Sequence, residues 1–259
     1  DRPDAWTRDD YRNPRNAKEN QYRVMKNNLS LDGHTRKRIY LFRHGDVSYM
    51  TNGQFVKEPN HVDLTPKGKK QALAIDENTK NVRFDRIVTS GLPRTIQTAT
   101  PIAERRGISI DSYSALIEYQ WSPQTIVDTS IEKLGFLFED PEFQVATGGL
   151  ETMDDFFNRI VQQLMNLLRE DWHQIALVLH GAVNAAIMCW VNDLEINRAS
   201  KFDQDHGALS VLDFDLENDG TVIRKCIRRF NVPPFSDDLD PPWMSSWEST
   251  VAKFIKDRR

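Results

Sequence analysis

The sequence predicts an α/β fold: a mostly parallel central sheet with helices on both faces, carrying an N-terminal arm and a C-terminal tail. Three observations predict it. Short apolar runs alternate with longer stretches of helical period. Two of those runs, "YLFRHG" from Tyr40 and "VLHG" from Val178, end on a His-Gly pair and then turn polar. At 259 residues and 39% hydrophobic content, the chain can bury one sizeable core.

Taken in order, residues 1–36 are polar, of mixed charge and without period. They read as an arm lying on the surface or on a partner, or equally as a partly disordered extension. "KRIYLFRHG" reads as a buried strand ending at Gly45. "LTPKGKKQALAI" opens a helix with Thr65 as N-cap and Pro66 at the first helical position. "RFDRIVTS" is a second strand, ending at Ser90. "PRTIQTATPIAERRG" is a helix closed by Gly107. "ISI" reads as a third strand, and residues 122–149 are irregular. "ETMDDFFNRIVQQLMNLLRE" sets Met153, Phe156, Phe157, Ile160, Leu164, Leu167 and Leu168 at helical spacing, a core-facing stripe. "HQIALVLHG" is a strand and "AVNAAIMCWVN" an apolar helix. "GALSVLDFDL" and "TVIRKCIRRF", joined by "ENDG", read as a hairpin. The divisions expected are an arm over 1–36, one domain over 37–231 and a tail over 232–259.

The formal net charge of -4 weighs against nucleic acid or an anionic membrane as a partner. No apolar run is long enough to span a bilayer, and a cytoplasmic location is expected. Cys189 and Cys226 each lie in an apolar run, which predicts two buried reduced thiols. Nothing has metal-ligand spacing, so neither metal nor cofactor is expected. Trp6, Trp243 and Trp247, in the arm and tail, are predicted to pack on the domain or across a homodimer interface.

In sheets of this kind the ligand crevice lies outside the carboxyl ends of the strands. Arg43, His44, Ser90 and His180 fall at those ends, with Arg94 just beyond. Arginine grips phosphate oxygens as a bidentate fork, and histidine serves as nucleophile, acid or charge donor. Gly45 and Gly181 are expected to let backbone and ligand approach closely. Together these residues describe a pocket for a phosphoryl group.

The motifs "LFRHGDV", "LTPKGKKQA", "SGLPRTIQTA", "LIEYQW", "GGLETMDDFFNRI" and "LVLHGAVNAAI" resemble, in order, those of the histidine phosphatase superfamily, in its phosphoglycerate mutase-like branch. The resemblance covers roughly residues 37 to 230. It implies that 37–231 is a catalytic domain, that His44 is the nucleophile and that Arg43 and Arg94 clamp phosphate. It also implies that His180 binds the phosphoryl group and that Glu118 is the general acid. Asp46 is the rival acid, its alternative role being to cap a turn.

Val47 stands where this family has a hydroxyl residue, with Ser48 as a stand-in. Asn52 is the candidate for a common family asparagine. "EYQWSPQ" keeps only the tryptophan of the segment that follows the acid. Candidate substrate contacts are Arg43, Arg94, His180, Gly181, Ser48, Asn52, Gln54, Phe55, Trp121, Asn184 and His206. His206 is read two ways, as a substrate contact or a turn residue. Residues 122–149 fit the position of the family's lid insertion.

The function expected is hydrolysis of a phosphate monoester of a small metabolite through phosphohistidine on His44. The alternatives are a protein phosphatase, a phosphoglycerate mutase-type phosphotransferase and a non-catalytic phosphate-binding module.

Overall fold

The computed structural model describes residues 30, 31, 34–51, 54–120, 151–235, 243, 244 and 249. The strands are β1 (Ser30–Leu31), β2 (His34–Arg43), β3 (Met50–Thr51), β4 (Gln54–Phe55), β5 (Arg86–Thr89), β6 (Ile110–Ser112), β7 (Gln174–Leu179), β8 (Leu209–Leu216) and β9 (Val222–Val232). The α-helices are α1 (Pro66–Asn78), α2 (Pro93–Arg106), α3 (Met153–Arg169) and α4 (Gly181–Val191).

The main sheet runs β6-β5-β7-β2-β8-β9, with β1 paired to β2. The four strands from β6 to β2 are parallel, and β8 and β9 add antiparallel pairs. Central β7 is buried along almost its whole length, as a strand covered on both faces must be. Its side chains alternate between two cores. Ile175, Leu177 and Leu179 face α3 and α4 in one. Ala176 and Val178 meet Ile75 of α1 and Ala99 and Ile102 of α2 in the other.

Local sequence explains the helix ends. The Thr65 hydroxyl accepts the Gly68 N–H, and Pro66 fills the first turn of α1. Gly107 closes α2 at φ 62°. Thr152 and Asp155 form a capping box at α3, whose Met153, Phe156, Ile160, Leu164, Leu167 and Leu168 are buried. Each such large apolar side chain contributes roughly 1.5–3 kcal/mol on burial. Charge fixes the β2–β8 register: Arg36 lies opposite Asp215 and Arg38 opposite Asp213, each pair joined by two hydrogen bonds of 2.6–3.0 Å.

Several expectations need correction. The third strand lies at Ile110–Ser112 rather than at "ISI" (108–110). The left-handed cap at Gly107 uses up the next residues before Ile110 pairs with Ile87. The strands of the sheet lie between Ser30 and Val232. Cys189 is buried, its thiol pushed up to about 11 by burial. Cys226 is only half-buried, because β9 is the edge strand. Trp243 is fully exposed on this chain rather than packed on its domain. Trp6, Trp247, most of the arm and tail, and residues 122–149 lie outside the described residues. Among the described residues no helix is long and apolar enough to cross a membrane.

Candidate active site

Parallel neighbours β2 and β7 deliver His44 and His180 to the same sheet edge. The His44 N–H donates to the Leu179 carbonyl at 2.9 Å, tying the two strand ends together. The imidazole rings lie 5.3 Å apart, nearly edge to face, and both are buried. A third ring, that of His206, stands 5.4 Å from His44.

The turn after His44 is pinned from three sides. The Gly45 N–H donates to Thr98 Oγ1 of α2 at 2.9 Å. The Asp46 N–H donates to Gln71 Oε1 of α1 at 2.8 Å, and Gln71 Nε2 donates to the His206 carbonyl at 2.8 Å. The Gly207 N–H reaches the carbonyls of Arg43 and His44, both at 3.2 Å.

The expected role of the two glycines changes. A Cβ on Gly45 would meet the Gly68 carbonyl oxygen at 2.6 Å, and one on Gly181 would meet the Arg43 guanidinium at 3.2 Å. The space they leave is filled by protein, not kept for a ligand. Gly45 admits the first turn of α1, and Gly181 seats Arg43.

His44 Nδ1 lies 2.8 Å from the Gly45 carbonyl. A carbonyl only accepts, so Nδ1 carries the proton and Nε2 keeps its lone pair. Burial, then the charges of Arg94 and Arg43, push the His44 imidazole well below its ordinary value of 6.5. The same causes, with His44 and Arg159 added, push His180 down. Both rings are therefore neutral at pH 7, as a nitrogen nucleophile requires.

His180 Nε2 lies 2.8 Å from Ser90 Oγ at the end of β5. Ser90 Oγ in turn lies 3.1 Å from Thr95 Oγ1, whose hydroxyl donates to the Leu92 carbonyl at 2.8 Å. One proton order satisfies every contact: His180 to Ser90, Ser90 to Thr95, Thr95 to Leu92. It leaves His180 Nδ1 bare. That nitrogen and Arg94 Nε are buried and make no hydrogen bond among the described residues. The Arg94 N–H is the kind of buried donor that a bound anion would satisfy, whereas the bare Nδ1 of His180 is open to a proton-bearing oxygen.

Arg94, on the first turn of α2, is buried and donates to the carbonyls of Pro59 and Asn60 at 3.1 and 3.4 Å. Arg43 donates to the Gln204 carbonyl. Gln204 is held by Asn184 Nδ2 and by Ser210 Oγ, both at 2.8 Å. Asn184 is thus fully buried behind Arg43 rather than at the pocket mouth. Glu118 accepts from the N–H of Tyr119 at 3.0 Å and from the N–H of Ala182, in the first turn of α4, at 3.3 Å.

Asp46 accepts the Thr65 hydroxyl at 2.5 Å and stands 3.9 Å from His206 Nδ1. Ser48 is exposed and bonded locally to Met50. Val47 packs with Val62, Leu64 and Ala72. Asn52, Trp121 and the side chains of Gln54 and Phe55 lie outside the described residues.

Sequence reasoning missed Tyr49. Its phenol is pushed up by burial, and the charges of Arg94, Glu118 and Arg43 all bear on it, which sets it beside the site. No motif flags it. Among the described residues no cluster of His, Cys, Asp or Glu is arranged to hold a metal.

A family model described as "Histidine phosphatase superfamily (branch 1)" matches residues 39–226. The chain belongs to the histidine phosphatase superfamily. It is a phosphatase of that superfamily, a class that hydrolyses phosphate esters. It is 26% identical over 185 residues to "Phosphoserine phosphatase 1" of Hydrogenobacter thermophilus, a match covering 68% of this chain and 85% of that protein. It is 25% identical to "2-carboxy-D-arabinitol-1-phosphatase" of Triticum aestivum, covering 77% of this chain but only 41% of that longer protein. Among solved structures, a mycobacterial glucosyl-3-phosphoglycerate phosphatase superimposes with a TM-score of 0.63 at 22% identity, over 76% of this chain and 99% of that one. This last likeness shows a shared histidine phosphatase fold.

Proposed function

We propose that this phosphatase hydrolyses a phosphate monoester of a small metabolite through a phosphohistidine on His44. One observation carries the reading. A buried imidazole has its Nδ1 proton committed to the Gly45 carbonyl, its Nε2 lone pair available, and a second neutral imidazole and two arginines around it. The relatives' names, phosphoserine phosphatase and 2-carboxy-D-arabinitol-1-phosphatase, support a small phosphorylated metabolite as substrate.

The reaction has two halves. Nε2 of His44 attacks phosphorus, the P–O bond to the alcohol breaks, and Glu118 gives the departing oxygen its proton. Water then attacks the phosphoryl group while Glu118 takes its proton. The P–N bond breaks, returning neutral His44 and inorganic phosphate. Arg43 and Arg94 offset the negative charge on the phosphoryl oxygens, the largest demand in this chemistry, and His180 adds to this once the bound dianion draws a proton onto its Nδ1. Asn184 and Gln204 hold Arg43 in place. His206, beside His44, contacts the alcohol half of the substrate.

The test is phosphate release from a panel of monoesters by wild type and His44→Ala. Turnover of one class by wild type and none by the variant is expected. Exchange of phosphate between phosphoglycerate isomers, without release, would favour the mutase instead.

A further inference from the structure

The motif "GGLETMDDFFNRI" carries four charged residues that the reaction above does not use, and two of them, Glu151 and Arg159, pair with each other. Arg159 projects from α3 onto the short stretch 115–120 that bears Glu118. Its NH1 donates to the carbonyls of Ala115 at 2.8 Å and Ile117 at 2.9 Å. Its NH2 lies 3.5 Å from the Glu118 carbonyl, at the outer limit of a hydrogen bond. Its Nε and NH2 also grip both oxygens of Glu151 at 2.6 Å.

Glu151 closes the same stretch from the other side. Its carbonyl accepts the Tyr119 hydroxyl at 3.2 Å, and its carboxylate accepts the Gln120 N–H at 3.4 Å across 31 residues of sequence. The Tyr119 ring packs edge-on against Phe156 at 5.4 Å, and the Arg159 guanidinium lies over that Phe156 ring at 4.8 Å. Tyr119 is the residue whose N–H holds a carboxylate oxygen of Glu118. The Gln120 side chain completes the ring of contacts, donating to the Glu118 carbonyl at 2.7 Å and accepting from Asn60 at 2.9 Å.

We infer that Arg159, locked by Glu151, is a positioning residue for the general acid Glu118. The inference rests on the reading of Glu118 as that acid. Arg159 acts through backbone carbonyls and touches no reacting atom. Five N–H donors in a rigid fork are what three carbonyls and a carboxylate require, so lysine cannot replace it. The consequence is selective. A misplaced acid harms esters whose alcohol leaves poorly and needs a proton. It spares phosphoryl transfer from esters whose leaving group departs unaided, so the selectivity appears in kcat/KM, which ends with loss of the alcohol and does not include the water step common to both esters.

The experiment compares a simple alkyl phosphate with 4-nitrophenyl phosphate in Arg159→Met, Arg159→Lys, Glu151→Gln, Glu118→Gln and the double variant Arg159→Met/Glu118→Gln. Melting temperature is recorded for each. Glu118→Gln should lose the alkyl ester far more than the nitrophenyl ester. Arg159→Met and Arg159→Lys should show the same selectivity, with kcat/KM on the alkyl ester falling at least about tenfold more than on the nitrophenyl ester. Glu151→Gln, which keeps volume and fold, should show a smaller loss of the same kind. The double variant should be no worse on the alkyl ester than Glu118→Gln alone.

Equal losses on both esters in Arg159→Met, or losses that multiply in the double variant, would assign Arg159 to the fold alone and overturn the inference. Should Arg159→Met fail to fold, Glu151→Gln decides: an unselective loss, or none, overturns it. An unselective Glu118→Gln marks the separate failure of the acid assignment.

Discussion

Ser90 Oγ stands 2.8 Å from His180 Nε2, and the hydroxyl chain behind it fixes which imidazole nitrogen bears the proton. Ser90 therefore controls the tautomer of the second histidine. Ser90→Ala leaves a buried N–H without its acceptor, at a cost of about 1–3 kcal/mol. If that cost falls on the transition state, kcat drops roughly tenfold to a hundredfold. Steady-state kinetics beside a melting curve checks this, and an unchanged kcat would remove Ser90 from the catalytic apparatus.

The two buried imidazoles make stability depend on pH. In the folded chain both lie below 6.5, and in the unfolded chain they return to about 6.5. Below pH 6.5 the unfolded chain takes up protons that the folded chain refuses. Their contribution is thus complete above about pH 6.5 and is lost as pH falls, at about 1.4 kcal/mol per pH unit for each ring. Urea unfolding from pH 7.5 down to 5.5 should show a falling midpoint. His180→Gln should make the fall shallower by about one proton. A slope unchanged in that variant would contradict the burial argument.

Two glycines with different constraints should respond differently to alanine. At Gly45 the new methyl meets the Gly68 carbonyl oxygen at 2.6 Å, so the turn after His44 must shift. Gly45→Ala is expected to cost about 1–3 kcal/mol and most of the activity. At Gly107 the φ is 62° and nothing lies within 4 Å. Gly107→Ala is expected to cost about 1 kcal/mol, with kcat unchanged. Paired melting and kinetic measurements separate the two. Equal effects would mean that the Gly45–Gly68 contact does not set the site.

His206 is expected to act on substrate binding. Its ring is 5.4 Å from His44, and its backbone is tied to Gln71. His206→Asn should raise KM by about tenfold while leaving kcat within a few-fold. A lower melting temperature with unchanged KM would make it a turn residue only.

Much of the fold was legible because its signals are local. Thr65 with Pro66, Gly107, and the stripe from Met153 to Leu168 each state an element within a few residues. The two His-Gly strand ends announced the site because strands of a parallel sheet must release their side chains at one edge.

What was not legible depends on distant meetings. Arg43 is braced by Gln204, 161 residues on, and Gln204 by Asn184. The Arg159 clamp joins residues 44 apart. Tyr49 feels the charges of Arg94, Glu118 and Arg43, which come from three separate stretches of chain, and no periodicity records that. Val47 looked like a loss at the pocket. In the fold its side chain belongs to a small apolar cluster with Val62 and Leu64.

The central claim is that His44 carries the phosphoryl group. The most direct measurement is rapid acid-free quenching of turnover with a labelled monoester, followed by mass spectrometry of the peptide containing His44. The account predicts a base-stable, acid-labile phosphoryl group on His44 in wild type, accumulating further in Glu118→Gln with a substrate of good leaving ability, and none in His44→Ala. Turnover with no phosphoenzyme at any time, or hydrolysis retained by His44→Ala, would contradict it.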